Sequence, residues 1–131
     1  MKQSKDMAGL IQISELQYRT AQADMARIRT REEDLRRKLA QLIESKSAQA
    51  IATQRSDAAA LIAGADIRWH RWVDQRRAAI NAELAQVLAL KENSRVRLQN
   101  AFGRDRAMQK LSEQMLKSQK AKHTRRQSYE S

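Results

Sequence analysis

Met25-Ala26-Arg27-Ile28-Arg29-Thr30-Arg31-Glu32-Glu33-Asp34-Leu35-Arg36-Arg37-Lys38-Leu39-Ala40-Gln41-Leu42 places Met25, Ile28, Leu35, Leu39 and Leu42 on one stripe, spaced alternately by three and four residues. Glu32 is the polar member of that stripe. Such spacing is the seam of a coiled coil, in which an apolar face one residue in 3.5 must meet a second helix. Upstream, Ile11, Tyr18, Ser14 and Ala21 continue the same two heptad positions. Downstream they are taken by Lys46, Thr53, Gln49 and Ser56. Apolar residues there drift to Ile43, Ala50 and Ile51, the pattern of a local stutter.

Composition agrees with long helices. The 131 residues include no Pro, no Cys and 3 Gly, with 4% aromatic and 31% charged residues. Ala, Leu, Arg, Lys, Gln and Glu dominate, and these are the best helix formers. Turn chemistry is scarce, which argues against a sheet-based enzyme fold, and the absence of Cys excludes a disulfide scaffold and a zinc ribbon. No segment near the N-terminus has the length of a signal peptide, and the run 58–65 is far below the ~20 residues of a membrane span. The chain is therefore expected to be soluble and cytoplasmic.

Ala63-Gly64-Ala65-Asp66 offers the one break: Gly64 suits a left-handed helix C-terminus and Asp66 an N-cap. The expected organisation is a first helix over 1–63, a bend at 64–66, a second helix over 67–117 and a basic flexible tail over 118–131. In the second helix Val73, Ile80, Val87, Ser94, Ala101, Met108 and Met115 share one heptad position. Arg76, Glu83, Leu90, Arg97, Arg104 and Leu111 are assigned to the other, with Leu84 and Leu98 beside it. Two helices of about 55 residues, each about 80 Å long, would fold back on one another as an antiparallel two-helix coiled-coil hairpin, an all-α fold. With the bend at Gly64, facing residue numbers sum to about 129. Leu39 then faces Leu90, Leu42 faces Val87 and Tyr18 faces Leu111. Glu32 faces Arg97 and Lys46 faces Glu83, two ion pairs that would set the register.

The formal net charge is +11, from 26 Lys and Arg against 15 Asp and Glu. The excess lies in the second half, above all in Lys117, Lys120, Lys122, Arg125 and Arg126. Such a balance favours an acidic protein surface, a nucleic acid or an anionic lipid as partner, and it equally suits a solvated helix. Nothing supports catalysis, a cofactor or a metal site. Asp66, His70 and Asp74 lie at four-residue spacing, but such spacing is common on charged helices. Glu32-Glu33-Asp34 beside Arg36-Arg37-Lys38 reads as intrahelical ion pairing. Arg68-Trp69-His70-Arg71-Trp72 has two readings: tryptophans that close the core at the hairpin tip, or an anchor for a partner.

Three stretches carry a family resemblance. They are Glu33-Asp34-Leu35 running on to Leu39 and Leu42; Trp69-His70-Arg71-Trp72-Val73 followed by Ile80, Leu84 and Val87; and Ala101-Phe102 followed by Arg104, Arg106, Lys110 and Leu111. Together, over most of residues 8–115, the chain resembles the FliJ family of flagellar type III export and its injectisome relatives. Phe102 stands where that family more often has Trp. The resemblance implies a non-enzymatic stalk that couples a hexameric export ATPase to an export gate protein and handles export chaperones, held at the inner membrane only through those partners. It implies Arg104, Arg106, Lys110 and Lys117 as the ATPase contact, and Trp69, Arg71 and Trp72 as the gate contact. Two other readings are a generic coiled-coil adaptor and a basic-tail binder of nucleic acid or an anionic surface.

Overall fold

A computed structural model describes the backbone of residues 2–54 and 59–130 and the side chains of residues 2–52 and 64–130. All of that backbone is helical: α1 spans Lys2–Gln54 and α2 spans Ala59–Glu130. The two pack against each other as an all-α helical hairpin. Neither helix has an acid in its first turn or a base in its last, so charge does not complement their dipoles. Propensity, local pairs and packing hold them instead. Arg36 lies 3.1 Å from Glu32 and Lys38 lies 3.3 Å from Asp34, pairs worth a few tenths of a kcal/mol each. No described helix is long and apolar enough to cross a membrane.

The chain divides into two compact units. The unit Ala26–Glu92 holds the dry core, formed by Leu35, Leu42, Val73, Ile80, Leu84 and Val87. Val87 is 0% exposed. Ile28, Leu39 and Trp69 pack against this cluster. The second unit joins Met1–Met25 to Asn93–Ser131. Its buried positions are Ala21, Met25 and Ala101 with the polar Ser14, Ser94 and Asp105.

The α1 seam follows the expected positions from Ile11 to Lys46, each buried or half-buried. Beyond Lys46 the described residues of α1 are exposed, including Gln49, Ala50 and Ile51, so the expected stutter buries nothing there. The side chains of Thr53 and Ser56 lie outside the described residues.

In α2 one expected heptad position holds and the other does not. Val73, Ile80, Val87, Ser94, Ala101, Met108 and Met115 are buried or half-buried. Arg76, Glu83, Leu90, Arg97, Arg104 and Leu111 are all exposed. Their place is taken one residue later by Leu84, Lys91, Leu98, Asp105 and Ser112. The expected seam would have buried four long charged side chains. The observed one brings in Lys91 and Asp105, each with a polar partner across the seam, and gains Leu84 and Leu98.

The register moves accordingly. Glu32 meets Lys91, not Arg97, with Lys91 Nζ donating to Oε2 at 2.9 Å. Lys46 lies 3.9 Å from Asp74, not beside Glu83. Tyr18 stacks on Phe102, not Leu111, with ring centroids 5.5 Å apart and tilted by 50°. Contacting residue numbers thus sum to roughly 120, an offset of about two helical turns or slightly more from the expectation. The assumed bend explains the offset. Gly64 and Asp66 lie inside α2, and among the described residues no glycine has positive φ. A glycine inside an exposed helix costs only about 1 kcal/mol relative to Ala, too little to break a helix that packing favours. Residues 55–58, between the helices, lie outside the described ones.

Candidate functional site

The Trp pair sits in the unit Ala26–Glu92, about three helical turns into α2. Spacing by three residues puts the two indoles on neighbouring but distinct parts of the helix surface. Trp69 turns toward the core, packs on it, and meets the His70 ring edge-on at 5.4 Å. Trp72 is 55% exposed. Both line a groove of about 340 Å³ whose other walls include Lys38, Leu42 and Arg76. Arg71 is exposed. The core reading therefore describes Trp69, and the partner reading is left with Trp72 and Arg71.

Asp66, His70 and Asp74 do not converge. His70 Nε2 lies 3.3 Å from Asp66 Oδ1 without hydrogen-bond geometry, and among the described residues that shielded oxygen has no hydrogen-bond donor. Asp74 is beside Lys46. Among the described residues no group of three or more His, Asp or Glu is arranged to hold a metal.

In the second unit the basic residues expected at the terminal end lie on the outer surface of α2. Arg104 Nε donates to the Asn100 carbonyl at 3.4 Å, a bond to a neutral acceptor that leaves its charge uncompensated. Arg106 lies over the Phe102 ring, 5.1 Å from its centroid, and Phe102 in turn leans on Tyr18. This cation–π contact restrains the guanidinium without neutralising it. Lys110 and Lys117 are exposed. From Leu116 to Glu130 every residue of α2 is exposed, so the stretch expected as a flexible basic tail is a solvated basic helix.

Among the described residues, a part-buried and a buried polar contact cross between α1 and α2. In the unit Ala26–Glu92, Glu32 accepts from Lys91 and from Arg36 Nη2 at 3.1 Å. The Lys91 ammonium first, and the Arg36 guanidinium second, hold its carboxyl below the usual glutamate value of 4.5. In the second unit Ser14 Oγ donates to Asp105 Oδ1 at 3.2 Å, while Gln109 Nε2 donates to Oδ2 at 3.2 Å. Such seam contacts select one register among several. Sequence reasoning missed Lys91 and Asp105 as register residues. Their signal was the recurrence of Leu84, Lys91, Leu98, Asp105 and Ser112 at seven-residue intervals. It also missed Leu10, Ile13 and Leu16, which stand exposed outside the seam.

No protein-family model matches the chain, and neither a curated protein nor a solved structure does.

Proposed function

We propose that this chain is a non-enzymatic coiled-coil stalk of a type III, flagellar-like export apparatus. It would couple a hexameric export ATPase to an export gate protein and handle export chaperones in the cytoplasm, peripheral to the inner membrane through those partners. The reading rests on the resemblance of the three sequence stretches to the FliJ family. The observation that supports it best is the exposed basic set Arg104, Arg106, Lys110 and Lys117, carried by the unit that holds both chain ends. A positive surface of this kind suits an acidic ring interior, where charge mainly sets encounter rate and orientation. At the other contact, Trp72 and Arg71 offer an exposed aromatic beside a cation, the composition of a hot spot.

Charge reversal of Arg104, Arg106 and Lys110 together is expected to weaken ATPase binding while helicity survives. Unchanged binding removes the assignment. Trp72→Ala is expected to weaken gate binding without loss of helicity. Trp69→Ala tests folding instead, because that indole packs on the core.

A second reading is favoured by the solvated basic helix from Leu116 to Glu130: a phosphate-bearing polyanion would bind it. Steeply salt-dependent DNA binding that disappears on truncation after Lys117 supports this reading, and salt-independent or absent binding removes it.

A further inference from the structure

The unit of residues 1–25 and 93–131 leaves three large aliphatic side chains of α1 outside its own seam. Leu10, Ile13 and Leu16 are 50%, 54% and 65% exposed, whereas the seam beneath them buries Ser14, Ala21, Ser94, Ala101 and Asp105. A hairpin that needed only its own two helices would gain by the reverse arrangement, since burying aliphatic area contributes about 25 cal/mol per Å². These residues border a trough. One part, about 240 Å³, is lined by Leu10, Ile13, Ala107 and Met108. A second part, about 350 Å³, is lined by Leu16, Ala21 and Ala101. Gln17 and Arg104 are in the wall of both parts, so the two adjoin. Along α1 the trough runs from Leu10 to Asp24, about 21 Å or four helical turns. The alanines in its floor permit close approach of another backbone.

Charge selects the occupant. Arg97 and Arg104 form the α2 wall, and Asp24 is the single acid lining the trough. A second copy of a chain with net charge +11 would bring the same arginines to the same trough, which like-charge repulsion opposes. A concave trough also fits a rod better than it fits a flat lipid surface.

We propose that this trough is the docking site for a third helix supplied by another protein, amphipathic and acidic along the edge that meets Arg97 and Arg104. Its apolar face fills the space beside Leu10, Ile13 and Met108, a helix-in-groove mode that turns the two-helix unit into a three-helix bundle. The inference shares Arg104 with the stalk reading but rests on Leu10, Ile13, Leu16 and Arg97, which that reading does not use, so the peptide test can fail without touching it.

The test uses the full chain and two labelled synthetic helices of about three heptads, with Leu at the a and d positions and either Glu or Lys at the flanking ones. Fluorescence anisotropy is expected to show the Glu peptide binding and the Lys peptide not. Ile13→Asp with Leu16→Asp should weaken the Glu peptide at least tenfold at unchanged helicity, because both side chains are exposed. Arg97→Glu with Arg104→Glu, which leaves the apolar floor intact, should reverse the preference between the peptides. Binding of neither peptide, equal binding of both, or indifference to the arginine reversal overturns the proposal. So does a dimer in light scattering that Ile13→Asp dissociates, which would make the occupant a second copy. Binding of phosphatidylglycerol vesicles that depends on Ile13 and Leu16, without peptide binding, likewise overturns it in favour of a membrane.

Discussion

The unit Ala26–Glu92 and the unit joining residues 1–25 to 93–131 use the same heptad geometry for opposite ends. The first buries Leu35, Leu42, Val73, Ile80, Leu84 and Val87 against one another and admits one ion pair, Glu32 with Lys91, into its seam. The second buries Met25 with the small or polar Ser14, Ala21, Ser94, Ala101 and Asp105, and leaves Leu10, Ile13 and Leu16 in water. Apolar side chains inside a seam stabilise the hairpin; the same side chains outside it are available to a partner. The first unit also exposes Ile43, Ile51, Ile67, Trp72, Leu88 and Leu90, so what separates the two is the seam, aliphatic in the first and mostly small or polar in the second.

The comparison breaks most sharply if one substitution has the same effect in both units. Val87→Asp places a carboxylate at a fully buried position with no cation designed to meet it, and a loss of at least about 3 kcal/mol is expected. Urea unfolding followed by circular dichroism measures it. Retention of wild-type stability would mean that the core of the first unit is not where the structure puts it.

Gly64 is the next largest. Its φ is not positive and a Cβ there meets nothing within 4 Å, so Gly64→Ala is expected to stabilise the protein by about 0.5–1 kcal/mol. A left-handed bend at Gly64 would give destabilisation instead, and the same urea titration reads the sign.

Glu32 sharpens the contrast by pH. Its carboxyl is held below 4.5 by Lys91 and then Arg36, so its contribution is complete above the unfolded value and is lost as pH falls through the lower folded value. Thermal unfolding from pH 7 down to about pH 3 should therefore show a steeper decline in the wild type than in Glu32→Gln. Parallel curves would show that the Lys91 contact does not form.

The smallest effect is expected at Ile13→Asp, the same chemical change as Val87→Asp in the other unit. Ile13 is exposed, so stability should stay within about 0.5 kcal/mol of the wild type. A large loss there would give the second unit a core of its own kind and erase the contrast.

Much of this fold was legible in the residues. The α1 seam from Ile11 to Lys46 could be read directly because its stretch from Met25 to Leu42 is apolar at nearly every seam position. In α2 only one heptad position was legible. Leu90 and Leu111 made the wrong partner position attractive, and Arg97 opposite Glu32 looked like a register pair. The attraction between facing charges does not offset the cost of bringing Arg76, Glu83, Arg97 and Arg104 out of water. The actual seam admits Lys91 and Asp105 with their partners and exposes the rest. Gly64 misled for a related reason: a local preference of about 1 kcal/mol was set against the packing of a long helix.

The candidate surfaces were less legible. Trp69 and Trp72 look equivalent in the sequence, and only their placement on the helix separates a core indole from an exposed one. Leu10, Ile13 and Leu16 have no meaning until the seam is known, since an apolar residue beside a seam reads the same as one that widens it. The basic residues from Arg104 to Lys117 were visible from the start, but charge on a helix names a class of partner and nothing finer.

Recovery of partners from the protein's own cells tests the proposed function most directly. Tagged wild type and the variant reversed at Arg104, Arg106 and Lys110 would be purified after nuclease treatment, and the co-purified proteins identified by mass spectrometry. The stalk account predicts a hexameric export ATPase with the wild type and its loss from the variant. Absence of any export ATPase or gate protein from the wild-type sample would contradict it and leave a coiled-coil adaptor whose likeness to the FliJ family is helical spacing alone.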